Sequence, residues 1–160
     1  MTYHASLPRP APQLNQNPAY VAITLRLADA SDDLLVRQVR LLRDCVALSQ
    51  QRWSFTIEAA AVLPNEMQLL CSFPDAEFGV NGAIRLIASA FDRHIPQHEG
   101  SVWSDKSEVI EVPTAVISSR RTFIEAAPVR AGLVKCAIDW PYSSANLATA
   151  QASDMGVAVA

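Results

Sequence analysis

Two periodicities alternate along this chain, and their order constrains the fold more than any single residue does. Tyr20-Val21-Ala22-Ile23-Thr24-Leu25-Arg26-Leu27 alternates in polarity and is rich in β-branched residues, so it reads as a strand. Ser31-Asp32-Asp33 then caps a helix and puts acid in its first turn, where the helix dipole favours it. Leu34, Leu35, Val39, Leu42 and Val46 give that helix an apolar stripe, and it should end near Gln50. Phe55 to Val62 and Met67 to Phe73 are two further strands, with the turn signal Pro64-Asn65 between them, so they form a hairpin. Ala83, Ile84, Ile87, Ala88 and Phe91 mark a second helix from about Phe78 to His94. Val109 to Val112 is a short fourth strand. Pro113-Thr114 opens a third helix that should stop near Ala127, because Pro128 disfavours helical backbone in the residue before it. The order β-α-β-β-α-β followed by a helix is that of an α+β, ferredoxin-like protein. It predicts a four-stranded antiparallel sheet with helices on one face, plus a C-terminal helix and tail.

A chain of 160 residues, half of them hydrophobic, has the material for one domain with a real core. The expected division is a Pro-rich flexible arm over 1–18, a folded domain over 19–146 and a flexible tail over 147–160. Pro8, Pro10, Pro12 and Pro18 forbid a regular helix in the arm, which is read as a solvated leader rather than a partner-binding segment. The start of the chain lacks the basic-then-apolar pattern of a signal peptide, and no apolar run reaches membrane-spanning length. The expectation is a cytoplasmic protein without membrane contact. Cys45, Cys71 and Cys136 are odd in number and form no CxxC pair, which points to reduced, buried thiols rather than a zinc or redox site. A net charge of −3 and a pI near 5.5 weigh against a strong nucleic-acid binder but allow a local basic patch.

Three segments carry a family resemblance. They are Leu63-Pro64-Asn65-Glu66-Met67-Gln68-Leu69-Leu70, then Arg85-Leu86-Ile87-Ala88-Ser89-Ala90-Phe91, then the stretch from Arg120 to Ala145 with its Trp140-Pro141-Tyr142-Ser143-Ser144 corner. In order and spacing they resemble the IS200-like tyrosine transposases, in particular the REP-associated branch, over about Tyr20 to Ala145. The resemblance implies the same ferredoxin-like fold. It also implies an ancestral activity, DNA strand transfer through a phosphotyrosine. In that family two histidines, one residue apart on a strand, face the same way and grip a divalent metal such as Mg²⁺ or Mn²⁺. A helix tyrosine attacks the phosphate and holds one DNA end. A polar residue one turn later completes the metal site. This chain departs at each point. Glu66 and Gln68 stand at the histidine positions, Phe123 at the tyrosine position and Ala127 one turn on, while Glu125 replaces another commonly polar residue. A phenylalanine has no oxygen with which to attack phosphorus. The resemblance therefore implies a degenerate member with no catalytic residues and no cofactor.

Other residues could supply substitutes. Glu66 and Gln68 share a strand face and both offer oxygen, so a weak Mg²⁺ site is one reading; the preferred one is an exposed polar pair on a sheet edge. Tyr142 follows Pro141 in a corner, where its ring is expected beside Trp140 rather than acting as a nucleophile. His94 and His98 have zinc-ligand spacing, but Pro96 lies between them and makes them loop histidines. Arg85, Arg93, Arg120, Arg121, Arg130 and Lys135 are the candidates for a DNA-binding border of the former active-site groove, with Trp103 stacking on a base. Against that, seven Lys/Arg face six Asp/Glu between Ile84 and Lys135, close to an ordinary solvated surface. The leading expectation is a transposase-like protein that binds single-stranded or hairpin DNA without cutting it. The alternatives are a protein-interaction module without DNA binding, for which a homodimer is a candidate form, and an active transposase with a rebuilt site.

Overall fold

Strand β1 (Ala19–Arg26) lies in the middle of the molecule and hydrogen-bonds on both sides. Together with β2 (Thr56–Val62), β3 (Glu66–Phe73) and β4 (Glu108–Glu111) it forms one antiparallel sheet in the order β2-β3-β1-β4. This is the expected ferredoxin-like topology, and the strand bounds agree with the alternation in the sequence to within a residue or so. The computed structural model describes residues 19–74, 76–96 and 100–146. The arm over 1–18 and the tail over 147–160 lie outside the described residues.

The register divides the side chains between two faces. In β1 and β3, Ala22 pairs with Leu70, Ile23 with Leu69 and Thr24 with Gln68. Because side chains alternate along a strand, Val21, Ile23 and Leu25 turn to the same side as Met67, Leu69, Cys71 and Phe73, and all belong to one large buried cluster. Helices α2 (Val39–Trp53) and α3 (Ala76–His94) cover that face. They add Leu42, Cys45 and Val46, and Ala83, Ile87, Ala90 and Phe91. The two helices approach closely at Gly82, where a Cβ would sit 2.1 Å from the Trp53 ring. The opposite face holds a smaller cluster of Ala22, Ala59, Ala61, Leu63, Leu70 and Val112. It is closed by Ile124 of α4 (Ile117–Glu125) and by Ala127, which opens the short α5 (Ala127–Arg130).

The first helical segment differs from expectation. It divides at Gln38 into α1 (Leu34–Arg37) and α2, and it runs on to Trp53 before Ser54 ends it in the left-handed conformation. Neither Gly nor Pro marks Gln38, so the sequence carries no sign of the break. Asp32, rather than the N-cap residue Asp33, accepts the Leu34 N–H, at 3.1 Å, and both acids pair with Arg37. The third helix begins as a 3₁₀ turn over Thr114–Val116 and ends at Glu125, close to the expected stop, but not for the expected reason: Ala127, the residue before Pro128, is itself helical and opens α5 with Pro128 in its first turn. Gly132, at φ +76°, ends the turn that follows.

The Trp-Pro-Tyr-Ser-Ser corner has a structural task. β2 is an edge strand, and the corner lies along its open side. Val62 N–H donates to the Tyr142 carbonyl at 2.8 Å, Ala60 N–H to Ser144 Oγ at 3.0 Å and Trp140 Nε1–H to the Val62 carbonyl at 2.8 Å. Backbone groups that would otherwise invite another chain are satisfied internally. Tyr142 meets Trp140 edge to face at 5.5 Å, as the sequence suggests. Ser144 Oγ also donates to Glu125, which ties the corner to α4. Cys45 and Cys71 are buried, but Cys136 is exposed, which corrects the expectation of three buried thiols. Burial pushes the Cys71 thiol up to about 12.

Candidate functional site

The period-two pattern that buries Met67 and Leu69 must turn Glu66 and Gln68 the other way, toward α4. There they are half-buried beside Arg26 and Thr24, their cross-strand partners. β3 is an inner strand, so the expectation of an exposed pair on a sheet edge is corrected: both side chains are half-buried, and Gln68 lines a groove there. The two side chains bond to each other, Gln68 Nε2 donating to Glu66 Oε1 at 3.2 Å. The other Glu66 oxygen accepts from Arg26 Nε at 3.2 Å, and Arg26 Nη2 reaches Glu108 of β4 at 3.3 Å. A guanidinium thus sits between two carboxylates at the strand end.

Phe123 stands across the groove on α4. Ile124 next to it is buried, so the helix turns Phe123 outward, and it remains 48% exposed. Two guanidiniums lie against its ring: the Arg120 carbon is 5.2 Å from the centroid and that of Arg130 is 3.8 Å away. Both are cation–π contacts. Arg130 also donates to the Phe123 carbonyl, which fixes α5 against α4. Among the described residues neither Arg120 nor Arg130 has a carboxylate within ion-pair distance, whereas Arg26 has two. Together Thr24, Arg26, Gln68, Glu108, Arg120, Phe123 and Arg130 line a groove of about 250 Å³.

The donor set does not fit a divalent cation of the kind the tyrosine transposases use. Glu66 contributes one carboxylate already engaged by a guanidinium, and Gln68 turns its amide nitrogen to that carboxylate. Ala127 has no donor and is buried in the small cluster. Oxygen-seeking cations want several free carboxylate or carbonyl ligands and no cation in the way. Among the described residues no group of three or more His, Cys, Asp or Glu side chains converges elsewhere.

The remaining residues singled out in the sequence are dispersed. Arg121, one position from Arg120, turns toward β2 and pairs with Glu125 at 3.5 Å. Arg85 and Arg93 are exposed on α3, which packs on the far face of the sheet; Arg85 borders a separate hollow beside Trp103. Lys135 is exposed beyond Gly132. Only Arg120 and Arg130, of the six basic candidates, meet in the groove. The base-stacking expectation for Trp103 is overturned. Its ring is buried 5.3 Å from Phe91, and its indole N–H donates to the Ala88 carbonyl at 3.1 Å. His94 is not in a loop but is the last residue of α3, where Nδ1 meets the Ala90 carbonyl at 2.7 Å. His98 lies outside the described residues. No motif marks Arg26 or Glu108 in the sequence, although the period-two spacing from Tyr20 to Arg26 signals the face that Arg26 occupies.

Sheet order and the helix across the groove define the class: an α+β protein with the fold of the tyrosine transposases. The structure is similar to that of a REP-associated tyrosine transposase bound to a REP hairpin, with a TM-score of 0.73 and 23% identity over 79% of this chain and 76% of that one. It is also similar to a candidate transposase from Deinococcus radiodurans R1, with a TM-score of 0.51 and 14% identity over 68% of this chain and 90% of the other. No family model matches the sequence, and no curated protein matches it. Among the described residues no helix is long and apolar enough to cross a membrane.

Proposed function

We propose that this chain is a transposase-like protein that binds single-stranded or hairpin DNA and does not cleave it. The observation that carries this reading is the content of the groove. Phe123 stands where the resemblance places a nucleophilic tyrosine, and an Arg26–Glu66–Gln68 network stands where it places two metal-gripping histidines. Without a hydroxyl there is nothing to form the phosphodiester-to-tyrosine bond. Without free ligands there is no dication to neutralise transition-state charge. What remains supports binding: two guanidiniums free of carboxylates and an exposed aromatic ring. The hairpin bound by the similar transposase supports the choice of DNA form.

A gel shift with hairpin and single-stranded DNA at low and moderate salt tests the binding. A shift that weakens with salt is expected, and no shift at low salt would sink the reading. Labelled DNA incubated with Mg²⁺ or Mn²⁺ should give no protein-linked product. Phe123→Tyr alone should not restore one, since the ion's ligands are missing as well.

A second reading, a protein-interaction module, draws on β4. All four of its residues are exposed, with Val109 at 42% and Ile110 at 38%, and it forms the sheet edge that the Trp-Pro-Tyr-Ser-Ser corner does not cover. A concentration-dependent dimer in size-exclusion chromatography, lost in Val109→Lys, would favour it.

A further inference from the structure

The proposed DNA binding leaves open how a groove without metal ligands would hold a strand, and the charge distribution answers that. At the strand end Arg26 is shared by Glu66 and Glu108, so that end keeps an excess of one negative charge. At the helix end Arg120 and Arg130 bring two positive charges with no carboxylate in ion-pair range among the described residues. A phosphate is therefore repelled from the place where a metal-bound phosphate would lie and drawn toward α4. Phe123 stays 48% exposed beside those guanidiniums, with Arg130 3.8 Å from its centroid, so a base attached to that phosphate would stack on the part of the ring the arginines leave open. The groove, at about 250 Å³, lies near the lower end of the roughly 300–1,000 Å³ typical of small-ligand sites, a size that suits a single nucleotide unit.

Resting on the DNA-binding reading, we propose that this groove is a metal-independent, one-nucleotide clamp for single-stranded DNA. Arg120 and Arg130 hold a phosphate, Phe123 stacks the adjoining base, and Arg26, paired with Glu66 and Glu108, occupies the strand end of the groove and leaves no opening there for a cation. Stacking on an aromatic ring tolerates any base, since each has a π face. The clamp therefore adds affinity without sequence preference, and it favours an unpaired nucleotide over a paired one.

Fluorescence anisotropy with a labelled oligothymidylate tests the clamp. The full chain is titrated in EDTA and in Mg²⁺ at matched ionic strength. Kd should agree within about twofold between the two, because the cation acts here only as salt. Phe123→Leu keeps apolar bulk but removes the stacking face and should weaken binding by about 5- to 100-fold. The same variant should bind an abasic oligonucleotide of equal length as well as the parent does. Arg120→Gln should flatten the salt dependence, lowering its logarithmic slope by about 0.7. Phe123 is exposed and Arg120 half-buried, and urea midpoints like the parent's would show that the variants are folded. Binding abolished by EDTA, or unchanged in both variants, would overturn the clamp while leaving DNA binding at another surface. Competition by thymidine monophosphate as strong as by the oligonucleotide would overturn it in favour of a small-molecule site. No binding by the parent chain at low salt would remove the clamp and the DNA-binding reading together.

Discussion

The two faces of the sheet are built from alternate residues of the same strands, yet they have opposite characters. The α2/α3 face carries Val21, Ile23, Leu25, Met67, Leu69, Cys71 and Phe73 and is sealed by two long helices. The α4 face carries Ala22, Thr24, Arg26, Glu66 and Gln68 and is crossed by one short helix that leaves a groove. Free energy of folding is concentrated on the first, since burying large aliphatic and aromatic side chains is the dominant favourable term. Polar and charged groups are concentrated on the second. Substitutions on the groove face leave the core intact, because Thr24, Arg26, Glu66, Gln68 and Phe123 belong to neither buried cluster.

Paired substitutions put that contrast at risk. Phe91→Ala on the sealed face should cost about 3–5 kcal/mol in urea unfolding, whereas Phe123→Ala on the groove face should stay within about 0.5 kcal/mol. Comparable losses at both positions would dissolve the distinction. A pH series sharpens it from another direction. The Cys71 thiol is held protonated up to about 12 in the folded chain, while unfolding returns it to its ordinary value of 9.0. Between those values the unfolded state has released a proton that the folded state keeps. This contribution to stability is therefore present below pH 9 and falls as pH rises toward 12. About 1–2 kcal/mol of urea stability should be lost by pH 10.5, and Cys71→Val should flatten that loss. An unchanged slope in Cys71→Val would mean the thiol is not sealed in the core.

Two smaller effects probe the boundaries of the sealed layer. Gly82→Ala should destabilise by about 1 kcal/mol, despite alanine's better helix propensity, because the new methyl displaces the Trp53 ring. A stabilised variant would mean that the ring moves freely. Trp140→Phe removes the indole donor to the Val62 carbonyl at the β2 edge and should cost about 1 kcal/mol. If thermal denaturation showed no loss, the corner would not be securing that edge.

Much of the fold was legible because it rests on local patterns. The alternation in Tyr20–Leu27 and Met67–Phe73, and the apolar stripe through Ala83, Ile87 and Phe91, correspond to β1, β3 and α3. The division at Gln38 was not legible, since no breaker residue stands there. The site was legible in its identities and not in its assembly. Six basic residues looked equivalent in one dimension. Helix rotation sends Arg120 into the groove and Arg121 to Glu125, while the far side of the sheet takes Arg85 and Arg93. Trp103, in a loop by the sequence, looked available for stacking and is packed against Phe91 instead.

The sequence by itself determined the order of strands and helices and the kinds of atoms at each position. Periodicity is a property of neighbouring residues, and whether residue 123 carries a hydroxyl needs no partner to decide. Only the tertiary structure decided that Arg26, Glu66 and Glu108 would form one charge network, or that Arg120 and Arg130 would both reach the Phe123 ring. Side chains from β1, β3, β4, α4 and α5 meet there through strand register and helix rotation; a one-residue slip of a strand would turn its groups to the opposite face, and one residue along a helix turns a side chain by about 100°.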